Sequence, residues 1–259
     1  MIEALFNYEF LQNAFFSGLV IGVIAPLLGV FIVVRRLSLI ADALSHVTLA
    51  GIAGSLYLSQ SFAGLALLNP IYLGIVASVS GSILIERLRR LYKHYEELAI
   101  PIIMSGGIGI SAILISLASG FNTDLMSYLF GSVSAVSRQD LYVVLAIAVV
   151  VVIFLILFFK ELFVLSFDEE YAKASGLPAK SIHLLFMVVV ALVIAASMRI
   201  VGILLVSSLM TLPVAAAMRL ISFLIVLYGR FRDLVIWYIV HLSVLNRTSI
   251  SCRSSFVRC

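Results

Sequence analysis

Asp42 and His46 stand four residues apart in the stretch Arg35-Arg-Leu-Ser-Leu-Ile-Ala-Asp42-Ala-Leu-Ser45-His46-Val-Thr48. On a helix, that spacing stacks a carboxylate and an imidazole on one face, one turn apart. Ser45, three residues from Asp42, falls on the neighbouring stripe. A carboxylate oxygen and an imidazole nitrogen are donors suited to zinc or manganese. Two donors do not complete a coordination sphere, so the rest has to come from water, another segment or a second subunit. The surrounding stretch is apolar, and a charge inside a membrane span costs about 2.5–3.5 kcal/mol on insertion scales, so such groups line a pathway or pair with each other. The same spacing also serves structural ends: Asp42 can cap the helix start, or accept a hydrogen bond from a neutral His46.

Other titratable residues carry weaker signals. His94 lies in the basic Arg87–Glu97 loop and His183 begins an apolar run, positions that suit interfacial histidines rather than ligands. His241 falls in an atypical C-terminal segment. Asp124 and Asp140 are external and could attract cations, but read rather as solvated loop residues, and Arg199 as an edge charge able to snorkel. No phosphate-cradling Gly-rich loop, nucleophile–base arrangement or redox motif is present, so the chain reads as no enzyme, without its own means of binding ATP.

The elements that position Asp42 and His46 follow from composition. The chain is 63% hydrophobic and 12% charged over 259 residues, whereas soluble domains carry about 25% charged residues. A water-soluble fold of this length could not hide so much apolar side chain. Lipid removes the difficulty. The net charge of +4 does not imply nucleic acid, because the basic residues sit between apolar runs and not along one polar face. Cys252 and Cys259 form no disulfide framework or metal motif.

A membrane-spanning helix takes roughly 20 apolar residues. Runs of that kind fall at about 14–34, 39–58, 63–85, 100–119, 139–159, 181–198 and 200–218. They are too long, and alternate too little, for strands. The fold class is therefore an all-α integral membrane protein, a polytopic bundle of about 7–8 transmembrane helices. Gly18 and Gly22, and the cluster Gly106, Gly107 and Gly109, are small enough to let helices approach closely.

Charge orients the bundle. With Arg35 and Arg36 on the cytoplasmic side, alternation also places Arg87, Arg89, Arg90, Lys93, Lys160, Lys173, Lys180 and Arg219 inside. Only Arg138 and Arg199 then fall outside, and the reverse orientation inverts the count. The external segment 120–138 is half apolar and suits a re-entrant or interfacial helix. The cytoplasmic segment 160–180 centres on Phe167-Asp-Glu-Glu-Tyr-Ala-Lys-Ala-Ser-Gly176. There Asp168 can cap a short helix, Glu169 and Glu170 suit its first turn, and Gly176 can end it before Pro178. Residues 1–220 thus form one transmembrane domain, whereas 221–259 are cationic and broken by Arg230, Arg232 and Asp233.

Three stretches together resemble the permease subunits of the zinc, manganese and iron ABC importers, the ABC-3 family. They are the Val34-to-His46 run, the Phe167-to-Gly176 loop, and Arg199-Ile-Val-Gly-Ile-Leu-Leu-Val continued by Leu212-Pro-Val-Ala-Ala-Ala217. The resemblance covers roughly residues 10–220. It implies a type II importer-like permease in the cell membrane, paired as a homodimer. It also implies two ATP-binding subunits on the cytoplasmic face and an extracytoplasmic metal-binding protein. No permanent cofactor is implied. The cargo would be a divalent metal, with zinc favoured over manganese or iron by the Asp42-Ala-Leu-Ser-His-Val-Thr-Leu-Ala-Gly51 stretch; the alternative outside the family is an ion-coupled secondary transporter with Asp42 and His46 as a proton relay. By the same resemblance Asp42 and His46 contact the metal, and Asp168, Glu169, Glu170, Tyr171, Ala172 and Gly176 read the motion of the ATPase. Family members continue past residue 220 with further apolar helices, so segment 221–259 is expected to be frameshifted or truncated.

Overall fold

A computed structural model describes residues 9–61, 70–92, 95–118, 123–132 and 136–220. The atypical segment 221–259, with His241, lies outside the described residues, as does His94. The chain divides into two compact units, Met1–Val214 and Ala215–Cys259, and the first contains Asp42 and His46.

Every regular element among the described residues is helical. The long helices are α1 (Glu9–Val34), α2 (Leu39–Ser61), α3 (Pro70–Leu91) and α4 (Ala99–Leu117). After the short α5 (Thr123–Phe130) come α6 (Arg138–Phe167), the short α7 (Glu169–Ala174) and α8 (Ala179–Val201). A final helix, α9, runs Ile203–Leu220. Seven of these helices are long and apolar enough to cross a bilayer, matching the seven runs read from the sequence. The short α5 occupies the external segment for which a helix was expected.

The boundaries differ from expectation in two places. α3 continues through Arg87, Arg89 and Arg90 to Leu91, so much of the anticipated basic loop is a helical end. α6 runs on past residue 159, through Lys160 and Glu161, to Phe167. Charge alone does not stop a helix, and no glycine or proline interrupts residues 138–167. At about 1.5 Å per residue α6 is some 45 Å long, longer than a hydrocarbon core of about 30 Å. Its one irregularity is Phe158, with φ −107° and ψ 16°.

α2 and α8 lie at the centre. In each, 61% of the residues in the apolar stretch are buried, against 22% for α6. The core joins Leu28 and Ile32 of α1, Ile40 and Leu44 of α2, Ile85 of α3, Phe186 and Ile194 of α8, and Met210 of α9. Ser78 Oγ donates to the Ala191 carbonyl at 3.1 Å, tying α3 to α8. Phe15, Phe16, Leu19 and Val23 of α1, and Val149, Ile153, Ile156 and Leu157 of α6, are exposed. Apolar surface this extensive would be a liability in water and is at home against acyl chains.

Glycines set how tightly α2 is held. A Cβ on Gly81 of α3 would meet Val47 Cγ1 at 2.8 Å, and one on Gly107 of α4 would meet the Val47 amide at 3.1 Å. Gly18 and Gly22, by contrast, have open space where a side chain would stand, as do Gly106 and Gly109. Of the glycines expected to permit close helix approach, Gly107 is the one that meets another helix among the described residues.

Candidate functional site

α2 begins at Leu39, after a four-residue turn, and the Ile40 amide bonds back to the Leu37 carbonyl. Asp42 therefore sits inside the first turn and His46 one turn deeper, both half-buried. The flanking hydroxyls are satisfied within the helix: Ser45 donates to the Ala41 carbonyl and Thr48 to the Leu44 carbonyl, both at 2.7 Å. Neither Asp42 nor His46 makes a side-chain hydrogen bond or ion pair among the described residues. Asp42 accepts no backbone N–H, so it does not cap α2, and His46 does not donate to it. Both structural alternatives for the pair thus go unrealised. Among the described residues no group of three or more His, Cys, Asp or Glu side chains could hold a metal ion. The pair supplies two donors, and any further ligand comes from beyond them.

The cytoplasmic helix forms as its sequence dictates. Asp168 accepts the Tyr171 amide at 2.9 Å, which caps α7. Lys173 meets Glu169 at 2.8 Å, one turn apart. At the other end Gly176 has φ +79°. The Gly176 amide donates to the Lys173 carbonyl and the Leu177 amide to the Ala172 carbonyl, a Schellman cap. Ala172 is fully buried against the core while Glu170 and Tyr171 face outward. One small side chain thus anchors α7, and its charged and aromatic face is left free.

Between α7 and the bundle lies an ionic cluster that sequence reasoning missed. His183, expected at an interface, is 6% exposed, and Glu86 is 5% exposed. Arg35 donates to His183 Nδ1 at 2.7 Å, and His183 Nε2 lies 3.2 Å from Glu86 Oε2. Arg90 donates to Glu86 Oε1 at 3.1 Å. Arg89 contacts His183 Nε2 and donates to Glu96 at 2.8 Å. Guanidinium donors thus face both ring nitrogens of His183, and since a neutral imidazole accepts at only one of them, Arg35 and Arg89 compete for that nitrogen. Burial pushes the Arg35 guanidinium down to about 10, so it stays charged near neutrality. Burial works against the Glu169 carboxylate, but the Lys173 hydrogen bond and the charges of Lys173 and Arg35 outweigh it and hold the group below its usual range. The i, i+3 and i, i+4 spacing of Glu86 with Arg89 and Arg90 is the one local signal for this cluster.

The opposite end carries a second buried pair. Asp140, expected to be solvated, is 3% exposed. It forms a capping box with Ser137 at the start of α6 and accepts two bonds from Arg199, at 2.8 and 3.0 Å. Arg138, two residues before Asp140, donates to Glu9 at 2.6 Å. Arg199 is therefore paired rather than snorkelling. Just beyond it, Gly202 (φ +83°) separates α8 from α9, and Gly131 (φ +79°) ends α5. A Cβ on Gly131 would meet the Ile200 carbonyl at 2.6 Å, and one on Gly202 would meet the Leu129 carbonyl at 2.7 Å. These two backbones touch directly. The ends thus segregate as the charge rule requires, with Arg35, Arg89 and Lys173 clustered at one and Arg138 and Arg199 at the other.

Seven apolar helices and a charge bias that orients them define a polytopic membrane protein. The profile of the ABC 3 transport family matches residues 7–236, and the chain belongs to that family as a membrane permease of the metal ABC importers. A "Probable metal transport system membrane protein" of Treponema pallidum is 39% identical over 208 residues, covering 80% of this chain and 74% of that protein. The manganese transport system membrane protein MntC of Listeria monocytogenes is 34% identical over 212 residues, covering 82% and 72%. PsaBC from Streptococcus pneumoniae, solved in complex with a Fab, superposes with a TM-score of 0.69 at 34% identity, covering 83% of this chain and 75% of that one.

Proposed function

We propose that the chain forms the translocation pathway for a divalent first-row metal ion, held in transit by Asp42 and His46. The observation that carries this reading is their placement: adjacent on an otherwise well-satisfied helix, and without protein partners among the described residues. An uncompensated carboxylate in a span is costly, and a passing cation is the partner that would relieve it. Because two donors are too few, two copies of the chain pair, and each contributes its own Asp42 and His46. Carboxylate and imidazole suit zinc and manganese alike. Relatives named for manganese move the reading from the zinc expected on the Asp42–Gly51 stretch toward manganese.

ATP is hydrolysed on separate subunits, which engage the exposed Glu170 and Tyr171 face of α7. An extracytoplasmic binding protein delivers the ion to the opposite face. Holding in transit need only be moderate, since an ion bound too tightly would not leave. Vesicles containing the permease, its ATPase and its binding protein should take up manganese on addition of ATP. Asp42→Ala and His46→Ala should abolish that uptake while the protein remains in the membrane. Unchanged uptake in both variants would remove the pair from the pathway, and a preference for zinc in competition would return the assignment to zinc.

A further inference from the structure

We propose that Arg35 and His183 are positioning residues that carry displacement of α7 to the helix bearing Asp42 and His46. The proposal rests on the importer reading above and adds to it the route by which the cytoplasmic helix acts on the pair.

The route crosses one shared cavity, between Glu169 and Arg35, and is hydrogen-bonded beyond it. Arg35 directly follows α1 and lies within the turn that launches α2. That turn is stiff: the Arg36 amide bonds to the Val33 carbonyl and the Leu37 amide to the Ile32 carbonyl, a Schellman cap with Arg36 at φ +58°. A residue other than glycine in that conformation persists only where its surroundings hold it. Arg35 is in turn fixed to His183 of α8 at 2.7 Å, and through His183 to Glu86 of α3. Glu169, the first residue of α7, shares a cavity of about 250 Å³ with Arg35, Arg36 and Arg89. Glu169 and Lys173 also line a second cavity, of about 260 Å³, with Glu86, Arg89 and His183. α7 therefore borders open polar space, and its one buried residue is Ala172. A shift of Glu169 changes the field on Arg35. Arg35 cannot follow without moving either His183 or the start of α2, and Asp42 lies in the first turn of α2.

Two features separate a relay from mere support. Beyond the step from Glu169 to Arg35, which acts through the charge of Glu169, the Arg35–His183 link is a directional hydrogen bond, which has discrete arrangements and does not deform continuously. The links also join separate elements, Arg35 with His183 and Arg89 with Glu96, at the edge of the apolar core marked by Leu37, Ile85, Ala172 and Ile182.

The test uses the permease reconstituted with its ATPase and binding protein, measuring ATP hydrolysed and manganese taken up in the same vesicles. Arg35→Gln and His183→Asn should leave ATP turnover within about twofold of the unmodified protein while ions moved per ATP fall about tenfold or more. The double variant should be no worse than the poorer single, as expected for members of one chain of contacts. Arg35→Lys should recover part of the loss, since it restores charge without the planar fork. Hydrolysis and uptake falling in proportion, or losses multiplying in the double variant, would overturn the relay. If Arg35→Gln does not reach the membrane, His183→Asn and Arg35→Lys decide by the same ratio. Unmodified vesicles that hydrolyse ATP but move no metal would sink the importer reading itself, and the relay with it. That result is distinct from uncoupling confined to the variants.

Discussion

Two carboxylate–imidazole pairs among the described residues are treated in opposite ways. Glu86 and His183 meet across α3 and α8 at 3.2 Å, with Arg35, Arg89 and Arg90 closing around them. Asp42 and His46 share one face of α2 and have no such company among the described residues. Both pairs lie in helices long and apolar enough to span a membrane. The first is paired and buried, as stable structure demands; the second keeps its donors available. Proximity of an acid to a histidine therefore says little by itself, and what distinguishes the pairs is whether the protein has already supplied the countercharge.

The contrast can be broken in order of expected effect. Glu86→Ala should destabilise the protein by about 3–5 kcal/mol, since it strands buried positive charge, whereas Asp42→Ala should leave stability unchanged or slightly improved. Thermal unfolding in detergent compares the two, and equal losses would erase the distinction. Gly202→Ala should cost about 1–3 kcal/mol, because φ +83° with ψ 158° is a conformation essentially confined to glycine, and because the new methyl would press on the backbone of α5. The same unfolding measurement reads it. The smallest effects concern the two Schellman caps. Gly176→Ala should lose about 1 kcal/mol, whereas Arg36→Gly should gain a few tenths or nothing, as relief of strain is offset by a more flexible unfolded chain. Amide exchange at Leu177 and Leu37 would report each cap separately.

Much of this is written locally in the chain. The seven spans follow from runs of apolar residues, and the α7 cap, first turn and terminating glycine follow from residue types at adjacent positions. The placement of Asp42 and His46 on one face follows from helical period alone. What escapes a local reading is everything decided at long range. Asp140 reads as a solvated loop residue because its partner, Arg199, is 59 residues away. His183 reads as interfacial because Arg35, 148 residues distant, gives no local hint. Composition stops α6 short of Lys160 because hydropathy marks where lipid ends and not where helix ends. The resemblance to metal importer permeases holds at the level of family, while the choice of metal rests on chemistry that zinc and manganese share.

The irregular residue in α6 has a mechanical consequence. Phe158 departs from helical dihedrals, and the stub of helix after it leads directly into Asp168 and α7. The stub is itself seated in the core by Leu162 and Leu165, so the bend at Phe158 fixes the angle at which the chain reaches α7.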